Sequence, residues 1–409
     1  MNTLQSSDRS KKFNQPLVTP AESESHLELT VVMPCLNEAD TIEVCVVKAL
    51  TAIREAGIDG EVLIADNGST DGSQLIAERL GARVVQVEAK GYGNALMGGI
   101  AAARGKYIIM GDADDSYNFE EIPKFVERLR RGPDLVQGCR LPSGGGSILP
   151  GAMPFLHRWW GNPMFSVMVR QMFNAPIHDV YCGMRGFTKE AYDKLDLRCT
   201  GMEFATEMII KASRYKMNIA EVPITLHPDG RKAHAPHLKT FRDGWRTLRF
   251  FLMCSPRWLF LIPGIMLFLF GLIGYGLAMP GVTLGGATVG AHTLLVASLA
   301  LLTGQQAIFF AIFAKMFSIN EGLMPPDQRM NRFFDVFTLE RGLILGGVAV
   351  TGGICLIGIA MNVWRANQFG ALDYAHTMRL VIPGVTLVAL GFQGVLSSFV
   401  VSILGMHHK

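Results

Sequence analysis

The sequence predicts an α/β domain on a mainly parallel sheet, followed by an all-α membrane domain of four transmembrane helices. Two patterns carry that expectation. Through the first 228 residues, short apolar runs alternate with stretches of helical periodicity. That is the rhythm of strands joined by crossover helices. Charge then falls away. Of the 73 charged side chains (38 Lys+Arg, 35 Asp+Glu), 12 lie beyond Arg257 and 61 up to it. Neither one uniform globular protein nor a wholly disordered chain has that profile. A net charge of +3 without a basic stripe argues against nucleic acid as a partner.

In order along the chain, residues 1–27 are polar, lack the apolar core of a leader, and read as a flexible tail. ELTVVMP (Glu28–Pro34) is a buried strand, and Ala39–Ala56 is a helix. EVLIAD (Glu61–Asp66) is the second strand, with a helix over Asp71–Leu80. ARVVQVE (Ala82–Glu88) is the third, with a helix around Gly93–Arg104. KYIIMGDAD (Lys106–Asp114) is the fourth, then a helix over Phe119–Arg131 and a strand over Asp134–Gly138. Residues 28–228 form this domain, and residues 229–257 a basic juxtamembrane segment. The seven cysteines are scattered with no Cys-x-x-Cys pair, which fits reduced thiols.

Four apolar runs follow, Trp258–Met279, His292–Ala314, Gly342–Trp364 and Leu380–Met406, none with an internal Lys, Arg, Asp or Glu. Each has about the 20 residues that a bilayer-spanning helix needs. The second holds Gln305 and Gln306, and glycine is frequent throughout. Lys315, Arg329, Arg332 and Arg341 fall between the second and third runs, whereas Pro280–Ala291 carries no charge. The positive-inside rule then puts that basic loop, the α/β domain and both termini in the cytoplasm.

Ligands of such sheets collect beyond the carboxyl ends of the strands. The polar motifs sit there: CLNE after the first strand, DNGSTDGS after the second and GDADD after the fourth. Asp112 and Asp114, one residue apart, suit a hard cation, which takes one or two carboxylates plus substrate phosphates. Asp66 suits a ribose or base N–H, while Thr70 or Asp71 reads as a helix cap. Gly91-x-Gly93 is no dinucleotide fingerprint, because Leu96 stands where a third glycine is needed. His227, His234 and His237 share no helical or strand face, so a polar loop explains them better than a metal site.

Taken together, VVMPCLNEADTI, IADNGSTDGS, KGYGNAL and IIMGDADDS, in that order and spacing, resemble family-two glycosyltransferases. The similarity runs from about Glu28 to Phe251, through GCRLPSGG, HDVYCGMRGFTKEAYDKL, GMEFATEMIIKA and EVPITL. Within the family the chain is similar to the polyprenyl-phosphate glycosyltransferases, such as the dolichol-phosphate mannose and glucose synthases. The resemblance implies a cytosolic domain with the Rossmann-like GT-A fold. It also implies a nucleotide-sugar donor (UDP-glucose-like, or GDP-mannose), a polyprenyl or dolichyl phosphate acceptor, and Mg2+ or Mn2+. A homo-oligomer, dimer or tetramer, is implied as well.

Carried over by position, Pro34, Asn37, Glu38 and Asp66 would cradle the nucleoside, with Lys90 and Gly91 near the base or diphosphate. Asp112 and Asp114 would hold the cation. Arg140 and Arg158 stand where these synthases hold the lipid phosphate. Arg231, or Lys232 beside it, matches a basic loop that closes over phosphates. Arg185, Glu203 and Glu207 lie where the family shapes the sugar site. Asp114, Arg140, Arg185 and Glu207 are the catalytic set. The chain departs from the mannose synthases at Ser116, where they carry a Gln near the metal, so the third ligand is Asp115, Ser116 or water. Gly161 or Asn162 replaces a small hydroxyl residue after the second acceptor arginine.

Two segments fit the membrane surface. Arg158–Phe173 mixes Trp, Met, Phe and Arg, and Leu238–Phe251 spaces Arg242, Arg246 and Arg249 along a helix that leads into the first span. Two other functions compete. A processive polysaccharide synthase would carry Q-x-x-R-W, but Phe155 and Cys254 stand at the Gln position. A transporter or flippase with a non-catalytic nucleotide domain would often use carboxylates or arginines within the spans, and the four runs have none inside them.

Overall fold

The computed structural model describes residues 27–231, 240–284, 287–321, 324–328, 330, 333 and 337–406. The expected tail up to residue 26, Lys232, His234, His237, Arg329 and Arg332 lie outside the described residues.

The first part follows the expected alternation. Strand β1 (Leu29–Cys35) leads to α1 (Ile42–Glu55), β2 (Gly60–Asp66) to α2 (Ser73–Arg79), and β3 (Arg83–Gln86) to α3 (Tyr92–Ala102). Then come β4 (Tyr107–Met110), a 3-10 turn and α4 (Ile122–Arg130), β5 (Leu135–Cys139) and the short β6 (Ser147–Ile148). A wide π-type turn, His157–Gly161, opens α5 (Asn162–Phe173). Strand β7 (Arg185–Thr188), α6 (Lys189–Leu195), α7 (Glu203–Arg214), β8 (Ile219–Pro223) and β9 (Thr225–Leu226) complete the domain.

Seven strands pair in the order β3-β2-β1-β4-β7-β5-β8. All are parallel to their neighbours except β7, which runs antiparallel between β4 and β5. The register levels the strand ends that matter: Cys35 pairs with Asp66, and Val32 with Met110. Apolar clusters cover both faces, one around Val31, Met33, Ile64 and Phe125, the other around Val32, Leu63, Met110 and Phe204. A strand buried on both faces reads as a continuous apolar run, which is why these strands were visible in sequence.

Strand β4 stops at Met110, short of the expected Asp114. Gly111–Ser116 turns instead, with the Ser116 N–H and hydroxyl both donating to Asp114 Oδ1 and Asp115 at a positive φ of 60°. Asp and Ser favour such local bonds over a strand ladder.

Helix α8 (Thr240–Met253) precedes four helices long and apolar enough to cross a membrane: α9 (Ile262–Ala278, entered through a turn from Arg257), α10 (Ala291–Asn320), α11 (Leu339–Ala366) and α12 (Tyr374–Gly405). They outrun the apolar stretches because Lys315, Arg341, Arg365 and Arg379 continue their ends. Glycine permits close packing: a Cβ on Gly304 would meet the Phe268 backbone at 2.6 Å, and one on Gly353 the Gly384 carbonyl at 2.5 Å. Some of the polar groups inside find partners on neighbouring helices. Tyr275 bonds Ser298 and Thr386, and the Gln305 amide donates to the Leu390 carbonyl at 2.9 Å, so this glutamine suits the second span.

Helix α8 faces two ways. Phe251 is wholly buried, edge-on to Phe165 and Phe173 at 5.9 and 6.0 Å, whereas Phe241 and Trp245 are exposed. The expected surface helix is therefore also a helix packed on the α/β domain.

Candidate active site

The loops after β1 and β2 are tied together by their own polar side chains. Asn37, at a φ of 60°, donates its N–H to Ser69 and accepts from the Thr70 N–H. The Glu38 N–H donates to Ser73, and the Ala39 N–H to Asp71. Asp71 also takes the Ser73 N–H at the start of α2, whose N-cap is Gly72, and braces the neighbouring loop. Asp66 is buried and accepts from the N–H groups of Gly68 and Ser69 and from the Gln74 amide, fixing a carboxylate at the end of β2. Beside it, Asn67 holds the Gly91 N–H and two carbonyls, and Lys90 reaches the Asn67 carbonyl at 2.5 Å. Pro34 is half-buried, and Lys90 is exposed at the rim.

Asp112 and Asp114 sit beyond the end of β4, facing this pair of loops. Asp112 Oδ1 accepts from the Tyr92 hydroxyl at 2.8 Å. Burial and the neighbouring Asp114 charge push its carboxyl up to about 6, while Tyr92, Arg231 and Arg140 pull the other way. Burial, then the Asp112 charge, drives the Tyr92 hydroxyl well up, so it remains a donor. Ser116 is spent on Asp114 Oδ1, and Asp115 turns away to Lys48 at 2.7 Å. Among the described residues, no three His, Cys, Asp or Glu side chains gather as a metal cage. Two hard carboxylates, one of them raised by burial and then by repulsion from the other, which a cation would relieve, fit a Mg2+ or Mn2+ that also takes phosphate or water oxygens.

Arg231 joins the two sides. Its Nε donates to Glu38 at 2.8 Å, and its Nη atoms reach Asp114 at 3.2 Å and Asp229 at 3.1 Å. Burial opposes its charge, yet these carboxylates hold its pKa above the ordinary arginine value. Arg140 is buried and bidentate to the wholly buried Asp179, at 2.7 and 2.9 Å.

Other expected residues are not brought to this cleft. Arg185 has no exposed surface and donates to the carbonyls of Val180, Cys182 and Ala205. It holds the loop around Cys182, and its charge is felt at Tyr92. Glu207 is buried, accepts from the N–H groups of Arg198 and Cys199, and pairs with Lys211 at 2.9 Å. Glu203 pairs with Arg246 of α8 at 2.8 Å. Arg158 lies over the Trp159 ring at 5.6 Å, in a turn where Phe155, Trp159 and Trp160 are exposed.

Residues 30–196 match glycosyl transferase family 2, and residues 312–405 match the glycosyltransferase family 2 C-terminal transmembrane region. The chain is 38% identical over 390 residues to the low-salt glycan biosynthesis hexosyltransferase Agl6 of Haloferax volcanii, covering 95% of this chain and 92% of that one. The chain belongs to glycosyltransferase family 2. This family 2 glycosyltransferase is also 33% identical over 220 residues to the dolichyl-phosphate hexose transferase of Haloferax volcanii, covering 53% of it and 89% of that protein. Among solved structures it matches glucosyl-3-phosphoglycerate synthase from Mycobacterium tuberculosis, in complex with Mn2+, UDP and product. That match has 20% identity and a TM-score of 0.42, covering 58% of this chain and 84% of that one. The α/β part has the GT-A fold expected of the family, and the C-terminal transmembrane region with its four apolar helices makes this glycosyltransferase an integral membrane protein.

Several partners in the site of this family 2 glycosyltransferase were not singled out from sequence. Tyr92 lies inside KGYGNAL and Asp179 inside HDVYCGM, so both stood within motifs that drew attention for other residues. Asp229 and Lys48 lie outside the motifs and become visible only through their ion pairs.

Proposed function

We propose that this glycosyltransferase moves one hexose from a nucleoside-diphosphate sugar to the phosphate of a polyprenyl or dolichyl lipid at the cytosolic membrane face. The observation that carries this reading is the gathering of Glu38, Asp66, Asp112, Asp114 and Arg231 at the carboxyl ends of β1, β2 and β4, on a chain that also has four membrane helices. The names of the Haloferax relatives support the hexose and the lipid phosphate.

In this reading residues 28–228 are the catalytic unit, 229–257 the juxtamembrane segment and 258–409 the membrane domain. The basic loop between α10 and α11, the catalytic unit and both termini face the cytosol. Pro34, Asn37, Glu38, Asp66, Lys90 and Gly91 receive the nucleoside and diphosphate. Asp112 and Asp114 hold Mg2+ or Mn2+, which when bound neutralises the departing diphosphate. Arg231, Arg140 and Arg158 serve the phosphates, a task that suits the planar guanidinium. Trp159, Trp160, Phe241 and Trp245 rest at headgroup depth and bring the acceptor phosphate to the cleft.

A lipid monophosphate is already anionic near neutral pH, so it attacks the anomeric carbon without a strong general base. The protein positions it and neutralises charge. The displacement is in line and inverts the anomeric centre. The test is a donor screen on the purified full chain with a short polyprenyl phosphate and Mg2+ or Mn2+, reading lipid-linked product by mass. One added hexose is expected, and Asp112→Ala and Asp114→Ala should abolish it while the protein still folds. Near-normal turnover in either variant, or a growing polymer, would defeat the reading.

A further inference from the structure

We propose that Tyr92 is a positioning residue for the cation site, setting which oxygen of Asp112 is offered to the metal. The inference rests on the assignment of Asp112 and Asp114 as the metal pair. Asp112 has two equivalent oxygens, and nothing in the carboxylate itself decides which one faces the cleft. The structure makes them unequal. Oδ1 is tied to the Tyr92 hydroxyl at 2.8 Å. Oδ2 lies against Gly183, where an added Cβ would approach it to 2.7 Å, so only glycine leaves that oxygen room. The Gly183 N–H donates to the Tyr117 hydroxyl at 2.7 Å, which fixes this wall in turn.

Tyr92 is itself well placed to hold a fixed point. It is the first residue of α3, between two anchored neighbours. Gly91, at a φ of +128°, donates its N–H to the Asn67 side chain, and Gly93 donates to the Thr200 carbonyl at 2.9 Å. A Cβ on Gly93 would lie 2.3 Å from the Cys199 carbonyl, so α3 starts pressed against residues 199–201. The tyrosine thus links the loop after β2, the loop before α7 and the metal carboxylate. Without its hydroxyl, Asp112 is free to rotate toward the cationic Arg231 and Arg140, whose fields both act on it. A hydrogen bond to a charged group is worth about a tenfold change in an equilibrium constant, or somewhat more.

The experiment uses the full chain in lipid nanodiscs and follows Mn2+ binding by electron paramagnetic resonance, alone and with UDP or GDP. The variants are Tyr92→Phe and Asp112→Asn. Expected is about tenfold weaker Mn2+ binding in Tyr92→Phe, with a melting temperature near that of the parent. In turnover, the KM for Mn2+ should rise while kcat at saturating Mn2+ is largely restored. A purely structural role would instead lower kcat and melting temperature together and leave Mn2+ affinity alone, which would overturn the proposal. If Tyr92→Phe binds Mn2+ like the parent while Asp112→Asn does not, Tyr92 has no positioning role and the metal pair stands. If Asp112→Asn also binds Mn2+ normally, the metal pair itself is wrong and the inference goes with it.

Discussion

Asp179→Ala is the most decisive perturbation of the fold around the site. Asp179 is wholly buried and receives the Arg140 N–H at 3.0 Å, Arg140 Nε at 2.7 Å, Arg140 Nη2 at 2.9 Å and the Tyr181 N–H at 3.3 Å. Arg140 is buried too, and burial opposes its charge, yet Asp179 keeps its pKa well above the ordinary arginine value. Removing the acid strands a cation in a low-dielectric environment. Breaking one side of a buried pair costs about 3–5 kcal/mol. At about 1.4 kcal/mol per factor of ten, the lower bound changes the local opening equilibrium on the order of a hundredfold. Cys139 and Cys182 are buried reporters next to Arg140 and Asp179 in space or sequence. Their rate of thiol labelling in the full chain, compared with the parent protein, should rise by about that factor in the variant. The double variant Arg140→Met/Asp179→Leu should recover most of the protection, because apolar groups of similar bulk replace a buried pair at little cost. Unchanged labelling in Asp179→Ala would refute the reasoning, since the pair would then be neither desolvated nor coupled.

Two further outcomes follow from the packing and the ion pairs. Phe251→Ala empties a fully buried aromatic site and should cost about 3–5 kcal/mol, freeing α8 from the α/β domain. Hydrogen exchange over residues 240–253 should accelerate, because the half-exposed Arg246–Glu203 pair is too weak to hold the helix alone. Glu61 is pushed up by burial, but its bidentate bond from Arg83 and the Thr30 hydroxyl outweigh this and leave its pKa lowered. Its contribution is therefore present above the ordinary carboxyl value and lost as pH falls through the lowered folded one. Glu61→Gln should flatten the decline of melting temperature below about pH 4.3, the ordinary value; an identical acid limb would contradict this.

What the sequence disclosed and what it hid divide along a physical line. Strands β1, β2 and β4 are buried on both faces, so they appear as apolar runs, and their polar ends mark the cleft. Strand β7 was not read as a strand. Arg185-Gly-Phe-Thr is four residues long, opens with an arginine and has no alternation, and only its neighbours β4 and β5 make it one. The apolar stretches located the membrane helices, but the ends of those helices are carried by charged residues that hydropathy cannot assign. In the site, the charges were legible and their partners were not. Nothing in the sequence around Arg140 announces that Asp179, 39 residues away, pairs with it. Nor does the sequence show that Arg185, which the resemblance put at the sugar site, is held by three carbonyls. Pairing between distant positions leaves no trace in local pattern.

The antiparallel β7 has a consequence for how such an enzyme changes over time. Residues 140–184 leave the sheet from the end of β5 and return at the start of β7, which is its direct neighbour, with Gln137 opposite Arg185. The segment is a bay whose two mouths are already fastened side by side. Doubling the length of such a loop adds only about 0.6 kcal/mol of closure entropy. This bay carries Arg140, Arg158, Trp159 and Trp160 and none of the carboxylates at the donor end. Its outer part can lengthen or shorten without shifting the register of β1, β2 or β4, provided that Gly183 stays against Asp112 and Asp179 stays with Arg140. On the proposed assignment of the two substrates, a new acceptor is thus within reach of changes to one loop, whereas a new donor requires rewriting three strand ends at once.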